Sequence, residues 1–347
     1  MGLFSKLFGI GSNESSRVEQ NVKIAAPVKV ETYEKYEPDI PSVQGDYAKA
    51  IFLWAHKRAC PIKKSSEYQR YLLYECGIRD ANAYHRELLQ QGYFEEASNK
   101  TILESLKVTE LKQILSELGQ SVTGKKETLI ERILAFGDEA IIKRASGVTL
   151  YSLTEKAIQF LEDKEAYVRI HQHGRWGINW KEYDARYKEG MTFNDVVWGI
   201  FNERILKDTH NYGRNEYYNM YELLEEENRR EQALYTLMRV LYLDLSGIGI
   251  LDSIKLFQGG VYAKKDLKEL FSIAIMLAPG VINPIANYRD VYSDAMVDKL
   301  YEQKLPIQIC TKSKFCSIIQ SIFDDTYDEA KIHSDLRKSY CEFIDAM

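Results

Sequence analysis

Several signatures are missing from this 347-residue chain, and each absence removes a class of function. No glycine-rich loop leads into Lys-Ser/Thr to cradle nucleotide phosphates, and no nucleophile-elbow pattern is present. Nor does any excess of positive charge exist: 46 bases face 51 acids for a net charge of −5. A surface that coats nucleic acid everywhere is therefore excluded, and any affinity must come from a local patch. Cysteine is sparse. Cys60, Cys76, Cys310, Cys316 and Cys341 are odd in number and scattered, with no secretory signal, which favours reduced thiols in a cytoplasm. Cys310 and Cys316 lack the neighbouring ligands that zinc requires. Long apolar runs are absent too. The patch Met1–Gly9 is too short to span a membrane, and Lys6 departs from the myristoylation pattern; it reads as a frayed helix or a peptide that docks on a partner. No metal, cofactor or catalytic group is expected, and the chain reads as non-enzymatic.

What is present is chiefly helical. Residues 1–44 are polar and broken by Pro27, Pro38 and Pro41, the composition of a flexible lead-in. From Ser66 to Phe94 the pattern is helix, turn, helix, then a short extended piece. Tyr68, Tyr71, Leu72 and Cys76 form one stripe that Gly77 ends, and Asp80 is placed to cap the next helix. That order resembles a winged-helix core over residues 45–100, with Asn82, His85, Arg86 and Gln90 on the face turned to DNA. Thr149–Lys156 resembles the strand-to-helix passage closing such a head, whose last strands and helix would fill 146–182. Within it, Tyr167–Trp180 alternates and contains Gly174 and Gly177, suggesting a short strand or hairpin that carries His171 and His173 on one face.

The most informative stretch is Leu106–Leu134. Leu111, Ile114, Leu115 and Leu118 share one helical face, which Gly119 terminates. Leu129, Ile130, Ile133 and Leu134 supply the face of a second helix, and Val122 can plug the gap between the two. Thr123 is placed to cap that second helix, whose start offers unpaired N–H donors and partial positive charge. Gly124 would let a phosphate approach, while Lys125, Lys126 and Arg132 add charge. The residues Leu106, Leu111, Leu115, Gly119, Gly124, Lys126, Leu129 and Arg132 make this segment resemble the SAP family, a helix–extended–helix DNA-binding module; Gln120 stands where that family usually has leucine. The resemblance implies a module at 101–145 that grips double-stranded DNA by backbone and groove shape, through Lys107, Ser121, Thr123, Gly124, Lys125, Lys126 and Arg132, with little base readout. More loosely, Tyr71 with Cys76-Gly77-Ile78, Tyr151–Lys156 and Tyr242–Gly247 resemble uncharacterised SAP-containing proteins of Gram-positive phages and mobile elements.

Residues 183–347 read as a helical domain. Its helical hairpin at 215–244 carries Tyr217, Met220, Tyr221 and Leu224, then Leu234, Leu237, Met238 and Leu241, and looks like one tetratricopeptide unit. Trp176, Trp180 and Trp198 are expected in the core. The chain is thus expected to be mainly α and multi-domain: a winged-helix-like head with an inserted SAP hairpin, joined to a helical domain that recruits a protein partner or self-associates. Two alternatives stand beside a DNA-binding function. One is an interaction scaffold built on the hairpin; the other is a DNA-processing enzyme with a site that sequence does not reveal.

Overall fold

The computed structural model describes residues 39–347, so the patch at Met1–Gly9 and nearly all of the lead-in lie outside the described residues. Structure begins with α1 (Gly45–Ala55), α2 (Arg70–Tyr74) and α3 (Ala81–Gln90), followed by β1 (Phe94–Glu96). Four helices come next: α4 (Asn99–Ser105), α5 (Val108–Glu117), α6 (Lys126–Phe136) and α7 (Glu139–Ser146). The chain then returns as β2 (Tyr151–Leu153), antiparallel to β1, with Phe94 opposite Leu153 and Glu96 opposite Tyr151. All four helices from α4 to α7 therefore sit inside the connection between two paired strands. After β2 come α8 (Glu155–Asp163), α9 (Glu165–Gln172), α10 (Trp180–Arg186), α11 (Phe193–Lys207), α12 (Arg214–Glu226) and α13 (Arg230–Asp244). The remainder is helical as far as Ala346.

Local chemistry explains many of these boundaries. Asp80 accepts a hydrogen bond from the Ala83 N–H and caps α3, and Thr154 accepts from Ala157 at the start of α8. Gly77, at φ +76°, turns the chain out of the α2 region; a Cβ there would lie 2.3 Å from the Ser42 carbonyl oxygen, so only glycine fits.

One expectation fails. Tyr167–Trp180 forms no strand but α9 and a short 3-10 turn at Gly174–Trp176. Tyr167, Val168 and Ile170 bury against the head at helical spacing; so short an alternation fits both periods, and packing selects the helix. His171 and His173 consequently leave their shared face. His171 Nδ1 lies 2.9 Å from Glu75, whereas His173 stacks on Trp176 at 3.8 Å and meets Glu226 at 3.0 Å.

Three apolar cores result. The first gathers α1, α3, β1, α8, α9 and α11, and includes Trp176 and Phe201. A second, smaller one lies wholly between residues 97 and 150 and is built on Leu103, Leu111, Leu115, Leu129 and Ile133. The third surrounds α13, which buries Ala233, Leu234, Leu237, Met238, Val240 and Leu241 among others. A helix apolar on nearly every side belongs in the middle of a bundle. Trp198 and Tyr217 pack against both the first and third cores and join them. Where α12 and α13 meet as an antiparallel pair, Arg214 of α12 clamps the buried Asp244 of α13 through two bonds of 2.7 Å. No single described helix is long and apolar enough to cross a membrane.

Candidate nucleic-acid interface

Five acids and five bases fall between residues 102 and 137, so the segment carries no net charge and its function depends on where the charges stand. Its two main helices form because each has one apolar face. Leu111, Ile114 and Leu115 of α5 meet Leu129, Ile130 and Ile133 of α6. Gly119, at φ +66°, ends the first helix. The link runs from Leu118 to Lys125, and there the structure departs from expectation in three respects.

Val122 does not plug the gap between helices: it is 37 % exposed, and Leu134 is 40 % exposed on the outer side of α6. Leu129, Ile130 and Ile133 form the buried face of α6, and the link stays on the surface. Thr123 does not cap α6 either. The helix begins two residues later, with Lys125 at the N-cap position and no side-chain acceptor, while the Thr123 hydroxyl pairs with that of Ser121 at 2.9 Å. Arg132, read as a phosphate fork, turns back instead. Its Nη1 donates to the Ser121 carbonyl and, at 3.1 Å, to the Thr123 carbonyl, fixing the link from within. Gly124 has its own reason to be glycine: φ is +133°, and a Cβ would press on Thr128 Cβ at 3.2 Å.

Outward-facing groups remain. Lys107, Ser121, Thr123, Gly124 and Lys125 are exposed and Lys126 is half-buried. Lys126 Nζ donates to the Glu104 carbonyl at 2.7 Å, which sets the start of α6 beside the chain entering α5. The Lys107 N–H there is taken by Glu110 Oε2 at 2.6 Å. Among the described residues Lys107, Lys125 and Lys126 make no ion pair, so Glu127 and Glu131 do not neutralise them. The first-turn N–H groups of α6 likewise meet no side-chain cap. Three nearby helices differ in this, since Ser98 caps α4, Asp138 caps α7 and Thr154 caps α8, whereas α5, which starts after Lys107, has no side-chain cap from its N-cap residue either. An uncapped start with ammonium groups at its mouth is a ready anion site.

These residues coincide with a known module. Residues 102–137 match the SAP domain. Neither a curated protein nor a solved structure matches the chain. The SAP domain suggests a DNA-binding role for this segment.

The second group of candidates, on α3, divides. Arg86 is exposed and its Nε donates to Asn82 Oδ1 at 3.1 Å; Asn82 in turn donates to the Lys63 carbonyl at 2.6 Å. Gln90 is exposed as well. His85 is not on that face. Its ring is fully buried, with Nδ1 2.9 Å from the Tyr68 hydroxyl and ring contacts to Phe52 and Phe94. Burial, reinforced by His56 and then Arg86 and Lys63, pushes its pKa down to about 4. It is a neutral core residue and cannot meet DNA. The spacing Ala81, His85, Leu88 already holds the clue, since these three share the buried face of α3.

The core of the module takes in residues on either side of α5 and α6. Ile102 and Leu103 of α4, Ile142 of α7 and Leu150 complete its core, and Ala59, from the loop after α1, packs against it.

Proposed function

We propose that the chain is a non-enzymatic DNA-binding protein that holds duplex DNA by the phosphate backbone at the start of α6. The observation carrying this reading is the uncapped first turn of α6, flanked by Lys125, Lys126 and the Ser121 and Thr123 hydroxyls, on a link that Arg132 holds fixed. Donors already in place lose little freedom when a phosphate arrives. A module with no net charge grips weakly alone, so a second contact on the same body multiplies its effect. The face of α3 with exposed Arg86 and Gln90 and half-buried Asn82 is suited to that contact. The α2–turn–α3 arrangement followed by paired β1 and β2 supports a winged-helix-like head, and the module would then occupy its wing.

In this reading the helical part beyond residue 182 serves a partner or a second copy through the tetratricopeptide-like pair α12–α13. A groove lined by Trp198, Gln232, Tyr235, Met296 and Lys299 favours a scaffold role alongside DNA binding. The five free thiols fit a reducing cytoplasm. An origin among Gram-positive phages or mobile elements is proposed on sequence likeness alone.

Fluorescence anisotropy of a labelled duplex against salt tests the main reading. Log affinity falls with log salt by about 0.9 per phosphate contact, and Lys125→Glu with Lys126→Glu flattens that slope by about one to two units. Absence of binding at low salt, or a slope unchanged by the double substitution, removes it. Incubating the same duplex with magnesium or manganese and finding nicks would instead favour a DNA-processing enzyme.

A further inference from the structure

Basic side chains are used unevenly in this protein. After residue 160 every arginine is paired with a carboxylate or stacked on an aromatic ring. The loop between α1 and α2 is the opposite case. Residues 57–64 read Lys-Arg-Ala-Cys-Pro-Ile-Lys-Lys, four bases without an acid. Lys57, Arg58 and Lys64 are exposed and Lys63 is half-buried. Neither these four nor Arg86 makes an ion pair among the described residues. Two acids beside the loop are already committed. Glu67 accepts the Lys64 backbone N–H at 3.0 Å, and Asp80 accepts the Ser65 hydroxyl and the Ala83 N–H.

Yet the loop is held firmly. Cys60 exchanges two backbone hydrogen bonds with Tyr151 of β2, at 3.0 and 2.9 Å. The Lys63 N–H donates to the Tyr68 hydroxyl at 3.1 Å, and its carbonyl accepts from Asn82, which also holds Arg86. Ala59 lies against the core of the SAP module itself. A run of like charges that is fixed in place and left unpaired costs self-repulsion, and an approaching polyanion relieves it. Continuity with the SAP module argues which polyanion this is.

We infer that Lys57, Arg58, Lys63, Lys64 and Arg86 form a second phosphate-contacting patch, held against the SAP module by Ala59 and tied to β2 by Cys60, that takes the backbone of the same duplex. The inference rests on the DNA-binding reading above and adds the surface that turns a weak grip into a bidentate one. The patch reads charge and shape and carries no base specificity.

The test uses the full chain and a labelled duplex, comparing wild type, Lys57→Gln with Arg58→Gln and Lys64→Gln, and the Lys125→Glu, Lys126→Glu variant. The three loop residues are exposed, so the triple variant keeps its fold, which circular dichroism verifies. Its salt slope becomes shallower by about one unit per residue removed. In wild type, bound duplex protects Lys57 and Lys64 from acetylation, a readout independent of any variant. A triple variant with the wild-type slope, together with Lys57 and Lys64 equally acetylated with and without DNA, overturns the patch; loss of affinity on changing Lys125 and Lys126 would then leave the SAP contact standing. Failure of the wild-type chain to bind duplex at low salt overturns both.

Discussion

Lowering the pH towards 4 destabilises the head through one side chain, His85. In the folded protein its ring is wholly enclosed, Nδ1 engages the Tyr68 hydroxyl, and Nε2 has no partner among the described residues. A proton on this ring would place an unsolvated cation 5.4 Å from the His56 ring and close to Arg86 and Lys63. Burial is the largest cause, and the folded pKa falls to about 4. In the unfolded chain histidine titrates near 6.5. Between those values the unfolded chain binds a proton that the folded one refuses, so stability falls as pH falls across that window. A separation of roughly 2.5 units at about 1.4 kcal/mol each gives about 3.5 kcal/mol, lost progressively between pH 6.5 and 4. His56, also pushed down by burial, acts in the same direction. Urea unfolding followed by tryptophan fluorescence at a series of pH values measures the loss. His85→Leu lowers stability at neutral pH, because Tyr68 loses its acceptor, but removes one proton from the dependence. Equal pH slopes for wild type and His85→Leu over that window would show that His85 does not carry the dependence.

Other substitutions probe separate parts of the account. Asp244→Ala leaves Arg214 without the carboxylate it grips in a largely buried setting and costs about 3 kcal/mol in urea unfolding. Glu139→Ala, which breaks an exposed pair with Lys143, leaves the urea midpoint almost unchanged in the same assay. Gly124→Ala forces a side chain into φ +133° against Thr128 and costs about 1–3 kcal/mol, seen as faster amide exchange across residues 118–130. Leu111→Ala opens the small module core and costs about 3 kcal/mol, with exchange accelerated in α5 and α6 before α13.

Features set by neighbours along the chain were legible before the fold was known. Asp80 announces a helix start through its side-chain oxygen and caps as expected, and Thr154 caps α8 at the end of the strand-to-helix passage read over 149–156. The faces of α5 and α6 follow from leucine and isoleucine spacing, and Gly119 marks where the first must end. Features set by distant contacts were not. Arg132 spends its guanidinium on carbonyls nine and eleven residues away, and no pattern of residue types signals a side chain reaching back to a backbone oxygen. His171 gains its partner from Glu75, 96 positions earlier, which periodicity cannot reveal. His85 was misplaced by its polarity, although its spacing with Ala81 and Leu88 pointed inward. Capping by Thr123 failed because Gly124 carries the chain on before α6 begins, and the open helix start that results is the feature on which the proposed function depends.

That dependence can be observed directly. Amide spectra of isotope-labelled full-length protein, recorded while duplex DNA is added at low salt, report which N–H groups meet phosphate. Gly124, Lys126, Glu127 and Thr128 are expected to show the largest shifts, which collapse as salt is raised. Binding that leaves those four amides unmoved would contradict a phosphate contact at the start of α6.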